Sequence, residues 1–238
     1  MGLGLRRGGS MRRGGYRGKP TGLLGGSFNP AHAGHRAISL AAIDALGLDE
    51  LWWLVSPGNP LKAGATDMAP LTARLASAER MARGTRIVPT AIEARLGTRY
   101  TVETLARLAR LYPRRRFIWI MGADNLASFH RWREWRRIAR TMPIAVIARP
   151  GYDALAQKAV AMGWLRRFVR PAGHERHWTT WSPPALVLLR FRPDPRSATK
   201  ARALNPDWHV PIITHAPRDR VTRRALPQEV HCPLPPNR

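Results

Sequence analysis

Short apolar runs and segments of three-to-four-residue periodicity alternate along most of this chain. Thr21–Gly25, Leu51–Val55, Phe117–Met121 and Ile144–Ala148 are strand candidates, with a further one around Arg86–Val88. Continuous apolar runs of this length suit strands buried on both faces. Between them, His35–Leu46 has helical periodicity closed by Gly47 as a C-terminal cap, and Leu71–Met81 reads as a helix ending near Gly84. Thr101 is placed as the N-cap of a helix whose Val102, Leu105, Leu108, Ala109 and Tyr112 share one face, and Pro113 stops it. The Trp-rich stretch Phe129–Arg140 reads as one more helix. Strand alternating with helix implies an α/β fold with a doubly wound, Rossmann-like parallel sheet and helices on both faces. In such sheets ligands sit beyond the carboxyl ends of the strands, where strand order reverses, so the loops after strands are the places to search.

Length and composition narrow this picture. A chain of 238 residues with 44% hydrophobic side chains can bury one sizeable core, and no apolar run approaches the roughly 20 residues a bilayer requires. No membrane partner is expected. The single cysteine, Cys232, lies in a Pro-rich tail, which excludes an internal disulfide and a multi-cysteine zinc site and suits a reducing, cytoplasmic compartment. Residues 1–20 carry six basic side chains, no acid and no apolar signal segment, and are expected to form a disordered arm. The expected domain spans residues 21–203, and residues 204–238 are expected to be an irregular tail. Formal charge is +25, of which residues 21–195 keep +14, so an anionic partner such as a nucleotide or RNA is physically reasonable. High Arg usage without functional meaning produces the same number.

The strongest chemical signal is GGSFNPAHAGH, Gly25–His35, between a strand and a helix. Glycines let backbone approach a phosphate, and the N-terminus of the next helix offers unpaired N–H groups to an anion. His32 and His35, three apart at a first helical turn, can face the same oxygens and donate hydrogen bonds as charge moves to a leaving group. Two ordinary histidines after a strand-to-helix turn, or a metal pair, are the competing readings of the same residues.

Taken whole, this string resembles the signature of the HxGH nucleotidyltransferase superfamily, whose HxGH element is shared with class I aminoacyl-tRNA synthetases. Later segments resemble, in order, the bacterial nicotinate-nucleotide adenylyltransferase family. The resemblance implies that Gly25, Gly26, Ser27, Phe28 and Gly34 line the ATP phosphates with His32 and His35, and that Lys62 in SPGNPLKAG lies near phosphate. RYTVETL is similar to a stretch that holds the nicotinate carboxylate, which implies Tyr100 and Thr101 as contacts; Arg99 stands where the family often has Ser. MGADNLASFHRWREW implies Gly122 and Asp124 at the adenylate and Trp132 stacked on the pyridine ring. Arg149 matches an Arg-Pro after the next strand, which implies a positional rather than a catalytic role. SATKAR resembles a motif that caps the triphosphate, which implies Ser197, Thr199 and Arg202. Arg196 and Ala201 replace two apolar anchors of that motif, and the usual closing helix after Arg202 is not recognisable.

The implied reaction is adenylyl transfer from ATP to nicotinate mononucleotide, giving nicotinate adenine dinucleotide and pyrophosphate in NAD biosynthesis, with Mg²⁺ carried by ATP and no dedicated metal ligands. No carboxylate dyad or serine triad is visible, and none is required, because a phosphate monoester with a second pKa near 6 is already largely dianionic at neutral pH. Competing expectations are transfer to nicotinamide mononucleotide or phosphopantetheine, and RNA binding through the RRGG strings at Arg6–Gly9 and Arg12–Gly15. A homo-oligomer is left open.

Overall fold

Each strand of the sheet is apolar on both sides, and successive residues divide between two cores. Leu24 of the first strand, Leu51, Trp53 and Val55 of the second, and Ile118 and Ile120 of the fourth face one core. Their neighbours Leu23, Trp52, Leu54, Phe117, Trp119 and Met121 face the other. This two-residue alternation with both faces covered is why the sequence shows unbroken apolar runs. The structure is a computed structural model that describes residues 18–58, 68–148, 158–190, 205, 208–209 and 218–226.

The strands are β1 (Lys19–Gly26), β2 (Glu50–Val55), β3 (Ile87–Thr90), β4 (Arg115–Gly122), β5 (Ile144–Ala148) and β6 (Leu186–Arg190), in the order β3-β2-β1-β4-β5-β6. All five pairings are parallel. Helices α1 (Ala33–Leu46) and α2 (Leu71–Met81) cover the first core, while α3 (Ile92–Leu96), α4 (Thr101–Leu111), α5 (Ala123–Ser128) and α6 (Trp135–Thr141) cover the second. Helix α1 ends on Gly47 at φ 61°, the left-handed position that favours glycine, and its N–H bonds to the Ile43 carbonyl. Strand order reverses between β1 and β4, so the loops after Gly26 and Gly122 open side by side at the switch point. Among the described residues, no helix is long and apolar enough to cross a membrane.

Several sequence expectations are corrected. Strand β1 starts at Lys19, not Thr21: Lys19 and Pro20 pair with Arg115 and Arg116, and Lys19 Nζ meets Glu50 Oε2 at 2.9 Å. Residues 1–17 of the expected arm lie outside the described residues. The N-cap of α4 is Tyr100 rather than Thr101, which is the first helical residue. Ala109 is exposed, and Thr104 takes a buried place instead, donating to Glu93 Oε1 at 3.1 Å. The Trp-rich segment is not one helix. It forms a 3₁₀ turn at Phe129–Arg131, an extended Trp132 and a left-handed Glu134 (φ 49°) before α6. The break lets Trp132 and Trp135 both set their rings edge-on to buried Phe129, at 5.4 and 5.7 Å between centroids.

Strand β6 and helices α3 and α5 were not expected. The described part of the tail is irregular, yet it is docked. Arg218 and Ala225 form an antiparallel bridge, and the Asp219 carboxylate, 2% exposed, accepts from Thr90 Oγ1 and the Ala91 N–H, each at 2.8 Å, at the end of β3.

Candidate active site

The segment after β1 builds the centre of the site. His32 is the N-cap of α1, with extended backbone (φ −139°, ψ 168°), and His35 is the third helical residue. The two rings lie 3.7 Å apart between centroids, and the His32 backbone N–H donates to His35 Nδ1 at 3.2 Å. A ring nitrogen that accepts an N–H carries no proton, so this bond assigns the ring proton of His35 to Nε2, which makes Nε2 a donor. Both imidazoles therefore sit at the amino end of a 14-residue helix, where the helix dipole favours an anion. Gly34 is buried in the first turn between them.

Phe28, which the resemblance places along the ATP phosphates, has its side chain buried beneath the loop. Its ring is 1% exposed, stacks on Trp53 at 4.8 Å and 23°, and lies 4.8 Å from the His35 ring, which itself meets Trp53 edge-on at 6.0 Å. Trp53 Nε1 donates to Ser39 Oγ at 2.8 Å, and Ser39 Oγ donates to the His35 carbonyl at 2.7 Å. Phe28 is thus the floor under the imidazole. Its backbone is left-handed at φ 48°, a conformation that costs a bulky residue about 1–3 kcal/mol and needs surrounding contacts to hold it.

Those contacts come from a residue absent from the sequence-based candidates. Arg74 of α2 is 1% exposed and donates from Nη1 to the carbonyls of Ser27 (2.8 Å) and Ser56 (2.6 Å), from Nε to that of Ala69 (2.8 Å) and from Nη2 to that of Pro57 (3.4 Å). Burial pushes its pKa down to about 10, which leaves it charged at neutral pH. Asn29 Oδ1 accepts the Ala69 N–H at 3.2 Å, closing the network around Phe28. The signal was present in the sequence: Arg74 lies on the stripe Leu71, Leu75, Ala78, an arginine among core positions.

Across the switch point, Gly122 is the N-cap of α5, and Asp124 is exposed in its first turn with its carboxylate folded over Gly122. Trp119 of β4 sets its ring edge-on to half-buried Trp132, 6.3 Å between centroids. The loop after Trp132 returns to the start of α4: the Arg133 guanidinium lies 4.6 Å from the Tyr100 ring centroid and that of Arg99 5.8 Å. Tyr100, Thr101 and Trp132, read separately from the sequence, therefore belong to one neighbourhood. Behind Tyr100, burial pushes the Glu93 carboxyl up to about 7, opposed by hydrogen bonds from Thr104 and Ser56.

Lys62, Arg149, Ser197, Thr199 and Arg202 lie outside the described residues. A cavity of about 200 Å³ bounded by Arg115, Phe117, Pro143 and Trp178 opens at the amino ends of β4 and β5, the opposite end of the sheet from these loops. The rule for parallel sheets assigns the reaction to the carboxyl end.

Comparison with known proteins gives the family and the fold. The profile of the family described as cytidylyltransferase-like matches residues 23–204. A probable nicotinate-nucleotide adenylyltransferase of Erythrobacter litoralis is 60% identical over 206 residues, covering 87% of this chain and 94% of the relative. The chain belongs to the nicotinate-nucleotide adenylyltransferase family. A second member of that family, from Cereibacter sphaeroides, is 51% identical over 183 residues, covering 77% of this chain and 96% of its own. The fold is also that of the Plasmodium falciparum nicotinic acid mononucleotide adenylyltransferase solved in complex with NaAD, with a TM-score of 0.56 over 78% of this chain and 83% of that one at 17% identity. As a nicotinate-nucleotide adenylyltransferase fold, the sheet places the paired histidines and the Tyr100–Trp132 neighbourhood on the same, carboxyl side.

Proposed function

We propose that this protein, acting in the cytoplasm, joins nicotinate mononucleotide to the adenylyl group of ATP, forming nicotinate adenine dinucleotide and releasing pyrophosphate. The observation that carries this reading is the pair of imidazoles stacked at the amino end of α1, beside the switch point of the sheet. ATP enters as its Mg²⁺ complex, in which the metal neutralises phosphate charge. The mononucleotide phosphate is already largely dianionic at neutral pH, so the protein supplies position and charge stabilisation rather than a base.

In this reading His35 donates from Nε2 to the phosphates, and His32 and the first N–H groups of α1 share that work, because charge builds on the leaving pyrophosphate as the P–O bond breaks. The Gly25–Ser27 backbone lies along the same phosphates, and Gly122 and Asp124 face the adenylate. Lys62, Ser197, Thr199 and Arg202 are proposed to meet the triphosphate from segments beyond the described residues, and Arg149 to act from the segment after β5. Trp132 stacks on the pyridine ring, and Tyr100 and Thr101 hold its carboxylate at the start of α4, where unpaired N–H groups converge.

The test is to combine purified protein with ATP, Mg²⁺ and nicotinate mononucleotide and to measure pyrophosphate and dinucleotide. Parallel reactions with nicotinamide mononucleotide and phosphopantetheine compare kcat/KM among acceptors. Equal or greater kcat/KM with either alternative acceptor would refute the nicotinate assignment.

A further inference from the structure

We propose that Arg74 is a positioning residue for adenylyl transfer, acting through the backbone of the loop between β1 and α1. The inference rests on the activity proposed above and extends it to a side chain that no substrate touches.

Arg74 stands behind the loop, on α2, and binds four carbonyl oxygens that come from three separated stretches of chain. Ser27 leads into the left-handed Phe28, Ser56 and Pro57 follow β2, and Ala69 immediately precedes the Pro70 cap of α2. The bond to the Ser27 carbonyl has a directional consequence. In a planar trans peptide the C=O and N–H point opposite ways, so turning the Ser27 oxygen toward Arg74 turns the Phe28 N–H away from α2. On the far side of Phe28, Asn29 Oδ1 accepts the Ala69 N–H, and the Ala69 carbonyl returns to Arg74 Nε. The strained residue is therefore bracketed on both sides by one guanidinium, and the ring of that residue supports His35.

The charge contributes in the same direction. No carboxylate bonds to Arg74 among the described residues; its hydrogen bonds all go to carbonyl oxygens. Carbonyl dipoles solvate the cation without cancelling its charge. A buried positive centre next to a loop proposed to hold a triphosphate raises the local potential for that anion, because screening by water is weak there. Lysine retains the charge but has no planar fork to serve oxygens in several directions, whereas methionine retains much of the volume and neither property.

The test uses the full chain and the Arg74→Lys and Arg74→Met variants, with thermal melts and circular dichroism to establish the folded fraction. Steady-state pyrophosphate release is measured well below each melting temperature, varying ATP and the mononucleotide separately. The expected result is a fall in kcat/KM for ATP of at least tenfold in Arg74→Lys and at least a hundredfold in Arg74→Met per folded molecule, with the KM for the mononucleotide changed less than twofold. A folded variant with wild-type kcat/KM for ATP overturns the proposal, as does a loss that only follows the unfolded fraction or weighs equally on both substrates. If Arg74→Met does not fold, Arg74→Lys carries the same decision. Wild-type protein that releases no pyrophosphate overturns the activity and this role together, whereas active wild type with unimpaired variants overturns the role of Arg74 alone.

Discussion

Gly25 lies flat against the indole of Trp119, so closely that a Cβ on residue 25 would come within 2.7 Å of Trp119 Cη2. Trp119 in turn meets Trp132 edge-on. The first glycine of the phosphate loop and the tryptophan assigned to the pyridine ring are therefore linked through one buried side chain. Gly25→Ala is expected to destabilise the fold by about 1–3 kcal/mol, as overpacking does, and to raise the KM of both substrates. Denaturant midpoints and initial-rate kinetics check this, and an alanine variant with unchanged KM for the mononucleotide would break the proposed link.

His35→Ala is expected to lower kcat about a hundredfold or more, the scale of losing a donor to developing charge. It also removes the acceptor of the His32 N–H, so a stability loss of about 1 kcal/mol accompanies it. Turnover assayed on protein shown to be folded separates the two effects, and near wild-type turnover would remove the imidazole from the mechanism.

Trp132→Ala is expected to raise the KM for nicotinate mononucleotide roughly 5- to 150-fold, the equivalent of about 1–3 kcal/mol of stacking, with a smaller change for ATP. Trp132→Phe should recover part of the loss. Equal effects on both substrates in the alanine variant would argue for core support by this ring instead.

The Glu93 carboxyl, pushed by burial from its ordinary 4.5 up to about 7, holds its proton more tightly in the folded than in the unfolded chain. Between these two values the folded state binds more protons, so this group's contribution to stability is largest at low pH and is lost as pH rises from about 4.5 to about 7. Glu93→Gln should flatten that part of the stability profile relative to wild type. Urea titrations at a series of pH values provide the measurement, and an unchanged slope would assign it elsewhere.

Asp219→Ala leaves four hydrogen-bond donors without their acceptor: Thr90 Oγ1 and the N–H groups of Ala91, Val221 and Thr222. A destabilisation of about 2–4 kcal/mol is expected, because two buried and two part-buried donors lose their acceptor. A chemical-denaturation midpoint matching wild type would show that the tail contributes nothing through this contact.

The sequence revealed elements whose local signals agreed with their tertiary fate. Leu71–Met81 is the helix its periodicity predicted, and Ile144–Ala148 the strand, because each carries an apolar pattern that its neighbours bury. Strand β6 has a comparable run, Leu186–Leu189, but the prolines just before it and the tail after it hid the pattern. The break at Trp132 was invisible because Phe129, Trp132 and Trp135 keep helical spacing, and nothing in the sequence marks a left-handed Glu134. Around the site, the motif brought His32 and His35 together, as the stacked rings do, but gave no sign that the Phe28 side chain between them and β1 turns beneath the loop. Arg74 was missed for a related reason: the text of a helix shows a charge on the apolar stripe, but the carbonyls it serves come from loops far away in sequence.

Strand β1, from which the histidine loop emerges, has a hydrogen-bonded partner along each edge. Its amides cannot exchange with solvent by fraying from a border; they must await an opening that dismantles the middle of the molecule. Thermal damage should accordingly reach the chemistry late and abruptly, with surviving molecules keeping their full rate until the whole domain gives way.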